Sequence, residues 1–159
     1  MKFRQQFGFT LIEIIVVFAI IAIISTVAVA SFVNYNKTQN LQVAVSDVTS
    51  ILTLARSRAL SQAKPADKCN DQTTLNGYKV TLFMQTNSYQ LDVVCSNVNY
   101  KIQSVNLPKN VVFDNRTTSS FFYFPVIVNG VYMDGDGKIY LTGYGNTKII
   151  TVDKLGGIK

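Results

Sequence analysis

The chain has no histidine, and one glutamate, among its 159 residues. Without histidine the commonest general base and metal ligand is gone, so histidine triads and histidine-containing metal sites are excluded. Two cysteines, Cys69 and Cys95, are too few for a zinc site made of thiolates alone. Between Gly8 and Gly77 there is no glycine, and the only proline in that interval is Pro65. Nothing before the Lys64-Pro65 step is therefore a strong helix breaker.

What is present begins at Gly8 with GFTLIEIIVVFAIIAIISTVAVASF. Residues 9–33 are apolar apart from Thr10, Glu13, Ser25, Thr26 and Ser31. As a helix this run spans about 37 Å, enough for a hydrocarbon layer of ~30 Å. Lys2 and Arg4 precede it and would keep the N-terminus cytoplasmic, by the excess of basic residues on that side. The apolar pattern then changes to a stripe of Leu41, Val45, Val48, Leu52, Ala55 and Ala59. Steps of four and three predict that one helix continues to about Gln62, amphipathic in its outer half.

Beyond Pro65 the composition shifts towards glycine and alternating strand-like runs: 77–84, 88–94, 99–105, 120–128, 137–142 and 147–152. Such runs, closely spaced with no helix between them, predict one antiparallel sheet. The expected fold class is α+β, a long N-terminal helix packed on that sheet. The expected parts are a leader at 1–8, a membrane-spanning helix at 9–33, its amphipathic continuation at 34–64 and a β-rich domain at 65–159. The formal charge of +6 permits contact with anionic surfaces without requiring it.

The sole glutamate, Glu13, lies inside the apolar run, where a carboxylate costs roughly 2.5–3.5 kcal/mol to insert. Three readings account for it. The first is a plain membrane anchor with one unfavourable residue. The second is a cleavable signal peptide ending at Ala28-Val29-Ala30, but the apolar run continues to Val33 and exceeds the usual length of such a core. In the third, the chain is cut after Gly8. Phe9 then carries a new charged amine, and Glu13, about one helical turn further on, or the Glu13 of a neighbouring copy, neutralises it.

Residues Gly8, Phe9, Thr10, Leu11 and Glu13, followed by the unbroken apolar helix, resemble the leader junction of type IV pilins and type II secretion pseudopilins. The resemblance covers residues 1–35. It implies cleavage after Gly8 by a prepilin peptidase, N-methylation of Phe9 and a role for Glu13 in filament assembly. It also implies the inner membrane as location, with the C-terminal domain in the periplasm or outside, and other pilin or pseudopilin subunits as partners. ARSRALSQ (55–62), LPKNVVF (107–113) and the segment 124–159 are similar to pseudopilin H and related minor pilins. Many members of the family have a proline near the membrane exit, where Ala30 stands here.

The remaining candidates are weaker. An exported domain implies an oxidised Cys69–Cys95 pair, the alternative being two free buried thiols. Asp134-Gly135-Asp136-Gly137-Lys138 suggests calcium, which some pseudopilins bind in a C-terminal loop. The chain lacks the glutamate that an EF-hand loop needs at its end, so a hairpin turn is expected instead. Lys138, Lys148, Lys154 and Lys159 would suit nucleic acid phosphates, but scattered lysines read first as solvated surface. A DNA-binding or adhesive tip subunit is the alternative function. Asn36-Lys37-Thr38 and Asn115-Arg116-Thr117 match a glycosylation pattern that is weak on its own. No cofactor or metal is expected, and no hydrolase motif stands out.

Overall fold

The computed structural model describes residues 10–69 and 72–159, except for the side chains of residues 26–31, 33 and 34. The described residues fall into two compact units, one ending at Lys37 and the other running Thr38–Lys159.

Helix α1 runs Leu11–Leu60, close to the Phe9–Gln62 expected. Its end needs no glycine. Gln62 adopts a left-handed φ of 51°. Its N–H donates to the Ala59 carbonyl, while the Ala63 N–H donates to that of Arg58 at 3.0 Å. This pair of backward bonds is the Schellman stop, with glutamine in the position glycine usually fills. Pro65 follows and prevents the helix from resuming.

The strands are β1 (Leu75–Phe83), β2 (Ser88–Cys95), β3 (Val98–Asn106), β4 (Val111–Phe113), β5 (Phe121–Pro125), β6 (Tyr132–Met133), β7 (Lys138–Gly143) and β8 (Asn146–Thr151). They form two antiparallel sheets rather than the single one expected: β3-β2-β1-β5-β6 and β4-β7-β8. The division falls where β4 and β6, three and two residues long, are too short to give a sequence alternation. The run expected at 120–128 stops at Pro125, because proline cannot donate to a ladder. Two hairpins close with two-residue turns having both φ values positive: Ser96-Asn97 at 49° and 67°, and Tyr144-Gly145 at 54° and 80°. That geometry matches the twist of the flanking strands.

The helical stripe becomes the core. Leu41, Val48, Leu52, Ala55 and Ala59 are buried, with Ala44 and Ile51 beside them, and Val45 is partly buried. They belong to one cluster with Tyr78, Val80, Leu82, Leu91, Val93, Phe122 and Phe124 of the larger sheet and Ile139, Leu141 and Ile150 of the smaller. Burying a large apolar side chain contributes about 1.5–3 kcal/mol, so this stripe holds the helix to the domain.

The N-terminal half of α1 differs. Among the described residues no helix is long and apolar enough to cross a membrane. The continuously described apolar side chains, Leu11–Ser25, cover about 22 Å, short of the ~30 Å required.

Candidate functional site

The site at the start of α1 is built from Thr10 and Glu13. Thr10 precedes the first helical residue, and its hydroxyl accepts the Glu13 N–H at 3.4 Å. Glu13 reaches back, its Oε2 accepting the Thr10 N–H at 3.3 Å and the Thr10 hydroxyl at 3.4 Å. This is the reciprocal capping box, in which two N–H groups without helical partners are satisfied by side chains. A negative charge in the first turn also complements the helix dipole. None of the three readings of Glu13 from sequence includes this local role. The signal was available as Thr10-Leu11-Ile12-Glu13, a Thr-x-x-Glu before an apolar run. Gly8 and Phe9, the expected cleavage and methylation positions, lie outside the described residues.

Behind the cap, apolar side chains point outwards in every direction. Leu11, Ile12, Ile14, Ile15, Val16, Val17, Phe18, Ile20, Ile21, Ile23 and Ile24 are all exposed. Glu13, Ile14, Val17 and Phe18 line a shallow groove on this helix. The Ser25 hydroxyl donates to the Ile21 carbonyl at 2.7 Å, so it presents no unsatisfied donor to an apolar surrounding. A helix apolar on all sides needs lipid or other helices around it.

The other sequence candidates lie in the Thr38–Lys159 unit. Cys69 and Cys95 are joined as a disulfide with a Cα–Cα distance of 5.8 Å, and both are buried. The bridge ties the segment after α1 to the end of β2. Cys69 is further held by its N–H, which donates to the Pro65 carbonyl at 2.8 Å.

The acidic turn uses its carboxylates internally. Asp134 accepts from the Ser120 N–H at 2.7 Å, the Ser120 hydroxyl and the Phe121 N–H. Burial works to raise the pKa of Asp134, but these three donors outweigh it and hold the carboxyl below its usual value. Asp136 accepts the Thr118 hydroxyl at 2.8 Å and the Lys138 N–H at 3.1 Å. The Thr118 hydroxyl is the main reason its pKa is also lowered. The buried Ser119 hydroxyl accepts the Gly137 N–H at 3.0 Å. The turn is thus clasped to the strand start at 118–121. Among the described residues no three acidic or cysteine side chains stand together as metal ligands would.

A second clasp joins Asp114 to Arg116, whose Nε and Nη2 donate to the two carboxylate oxygens at 2.8 and 2.9 Å. The same carboxylate accepts the Thr142 hydroxyl at 2.9 Å. Arg116, by this bidentate bond, holds the Asp114 carboxyl well below the usual range. Thr117, the threonine of the Asn115 glycosylation pattern, is buried, with its hydroxyl bound to the Tyr140 carbonyl and N–H.

Lys138 opposes Thr151 and Lys148 opposes Leu141 across the β7–β8 ladder, while Lys154 lies in the turn closed by the Val152–Ile158 bridge and Lys159 just after it, its backbone bonded to Thr151. Lys138 lies 4.0 Å from Asp136.

The prokaryotic N-terminal methylation motif, as a family pattern, matches residues 3–29. That motif is the signal of type IV pilin-like prepilins, and the match supports the resemblance to the pilin and pseudopilin family; it points to a structural subunit. No curated protein and no solved structure matches the chain.

Proposed function

We propose that this chain is a minor pilin or pseudopilin, a structural subunit of a type IV pilus or type II secretion pseudopilus. The observation that carries this reading is the match of residues 3–29 to the N-terminal methylation motif. The all-round apolar surface of Leu11–Ser25 supports it, since such a surface suits lipid before assembly and a helical bundle afterwards. In this reading residues 1–8 are the leader, and prepilin peptidase cuts between Gly8 and Phe9 and methylates Phe9. Residues 9–33 anchor the subunit in the inner membrane, and the C-terminal domain faces the periplasm or the exterior.

Glu13 then has two tasks. It caps its own helix through Thr10, and it supplies a negative charge to the amine created at Phe9, in its own chain or in a neighbour. The carboxylate has lone pairs enough for both, because an ionised carboxyl accepts about four hydrogen bonds. Filament addition is favoured where a neighbour's amine meets this charge in an apolar surrounding, since an unpaired buried charge is strongly disfavoured.

The test is N-terminal sequencing of the protein from cells with and without prepilin peptidase. The expected result is a methylated Phe9 start with the enzyme and an uncut chain without it. A start at Ser31, or Met1 retained in assembled filaments, would overturn the reading.

A further inference from the structure

The sequence contains two Asn-Gly steps, Asn76-Gly77 and Asn129-Gly130, and the fold treats them oppositely. Asn76 is clamped. Its Oδ1 accepts the Asn97 N–H at 2.9 Å and its carbonyl accepts the Val126 N–H at 3.1 Å. Gly77 sits in β1 with a strand on either side, opposite Val94 in β2 and Pro125 in β5. Asn129 is free. It lies exposed in the loop between β5 and β6, beside Ile127, which is 88% exposed. Among the described residues no hydrogen bond holds the Asn129 side chain or the Gly130 N–H. Gly130 adopts φ +146°, and it has no side chain to obstruct approach to its nitrogen.

We propose that Asn129-Gly130 is a site of spontaneous deamidation in the folded protein, and that Asn76-Gly77 is protected from it. The Gly130 amide nitrogen loses its proton to solvent base and attacks Asn129 Cγ, forming a C–N bond. The tetrahedral adduct collapses by breaking the Cγ–Nδ2 bond, and the nitrogen leaves as ammonia after gaining a proton. The product is a five-membered succinimide. Water then opens it at Cγ, giving aspartate, or at the Asn129 backbone carbonyl, giving isoaspartate. Neither oxidant nor enzyme is needed.

Ring closure requires the backbone to turn so that the Gly130 nitrogen faces Cγ. At Asn76 this would break the bonds to Asn97 and Val126 and distort β1 between its two neighbours. At Asn129 no described bond lies on the two residues themselves, and the nearest, from the Val131 N–H to the Lys154 carbonyl at 3.2 Å, lies beyond the peptide that turns. The outcome adds a carboxylate to an exposed apolar loop. Its isoaspartyl form also inserts one backbone carbon ahead of β6, which is paired to β5 only through Phe122–Met133 and Tyr123–Tyr132.

The test ages the purified full chain in detergent, in warm, mildly alkaline buffer, and follows tryptic peptides by fragmentation mass spectrometry. Asn129 lies in the peptide 117–138 and Asn76 in 69–79, so the two are read separately. The expected result is a gain of one mass unit located at Asn129, as aspartate and isoaspartate, with Asn76 slower by tenfold or more. Tenfold corresponds to about 1.4 kcal/mol of local opening. In the reduced, unfolded chain the two sites should convert at similar rates, and Asn129→Gln should abolish the change at that position. Equal rates at the two sites in the folded chain, or an Asn129 that converts no faster folded than Asn76 does, would overturn the proposal.

Discussion

At the residue scale, Glu13 is where local structure and proposed function meet, and substitution can separate its two tasks. Glutamine can close a capping box as glutamate does, but it carries no charge. Glu13→Gln should therefore preserve the helix start while reducing incorporation into filaments. Glu13→Val loses both and should fall at least as far. Removing one partner of a buried pair typically costs ~3–5 kcal/mol, two or more orders of magnitude in an assembly equilibrium. In the proposed reading membrane insertion should persist in both, since each removes a charge from the apolar run. Immunoblotting of sheared filaments against membranes measures the ratio, and wild-type incorporation of Glu13→Gln would limit the residue to capping. Thr10→Ala should weaken the helix start by about 0.5–2 kcal/mol, whereas Thr10→Ser should keep the cap. Circular dichroism of the solubilised chain would separate the two.

The aspartates predict a pH dependence with a definite sign. Asp114, Asp134 and Asp136 all have folded pKa values below the ordinary 3.8. Their stabilisation is therefore fully present above the unfolded pKa and is lost as pH falls below about 4, towards the folded values. Thermal unfolding midpoints recorded from neutral to acidic pH should drop in that window. Asp114→Asn should lower the neutral midpoint and flatten the acid slope, and an unchanged slope would remove Asp114 from the account.

At the scale of elements, the helix stripe and the sheet turns determine whether the domain holds together. Leu52 is fully buried while Leu54, on the other face of α1, is exposed. Leu52→Ala should cost about 2–5 kcal/mol, and Leu54→Ala should have a much smaller effect, both read from denaturant midpoints. Gly137 combines φ +76° with a backbone so close to the Val152 carbonyl that an added Cβ would collide with it. Gly137→Ala should thus destabilise by more than the ~1–2 kcal/mol that a left-handed residue costs by itself. It should also loosen the clasp from Ser119 to the acidic turn.

At the scale of the whole molecule, the disulfide constrains a loop that includes all of β1 and most of β2. Closing a loop of this length contributes about 3 kcal/mol in the chain-entropy view. The double replacement Cys69→Ala and Cys95→Ala should lower the unfolding free energy by roughly that amount. Mass spectrometry of the alkylated, non-reduced native chain should find neither cysteine labelled. Labelling of both in freshly isolated protein would show that the bridge is not formed in the cell.

The sequence by itself determined the parts that depend on local periodicity. The helix was legible as an uninterrupted apolar run followed by a four-three stripe, and all of that stripe but the partly buried Val45 is buried, with Ala44 and Ile51 beside it. Most strands were legible from alternation, within one or two residues at their ends. The methylation motif was equally local, being a short run of residue types around Gly8 and Glu13. Only the tertiary structure decided the division into two sheets, because β4 and β6 are defined by the strands they meet and not by any pattern of their own. It also decided the fate of the carboxylates. Asp134 and Asp136 read as a turn or an ion site until Ser120 and Thr118, 14 and 18 residues earlier respectively, were brought against them. The same applies to the two Asn-Gly steps, identical as dipeptides and separated only by the neighbours the fold supplies. Periodicity is written into consecutive residues, whereas hydrogen-bond saturation and backbone freedom depend on chain segments far apart in sequence, which only folding brings into contact.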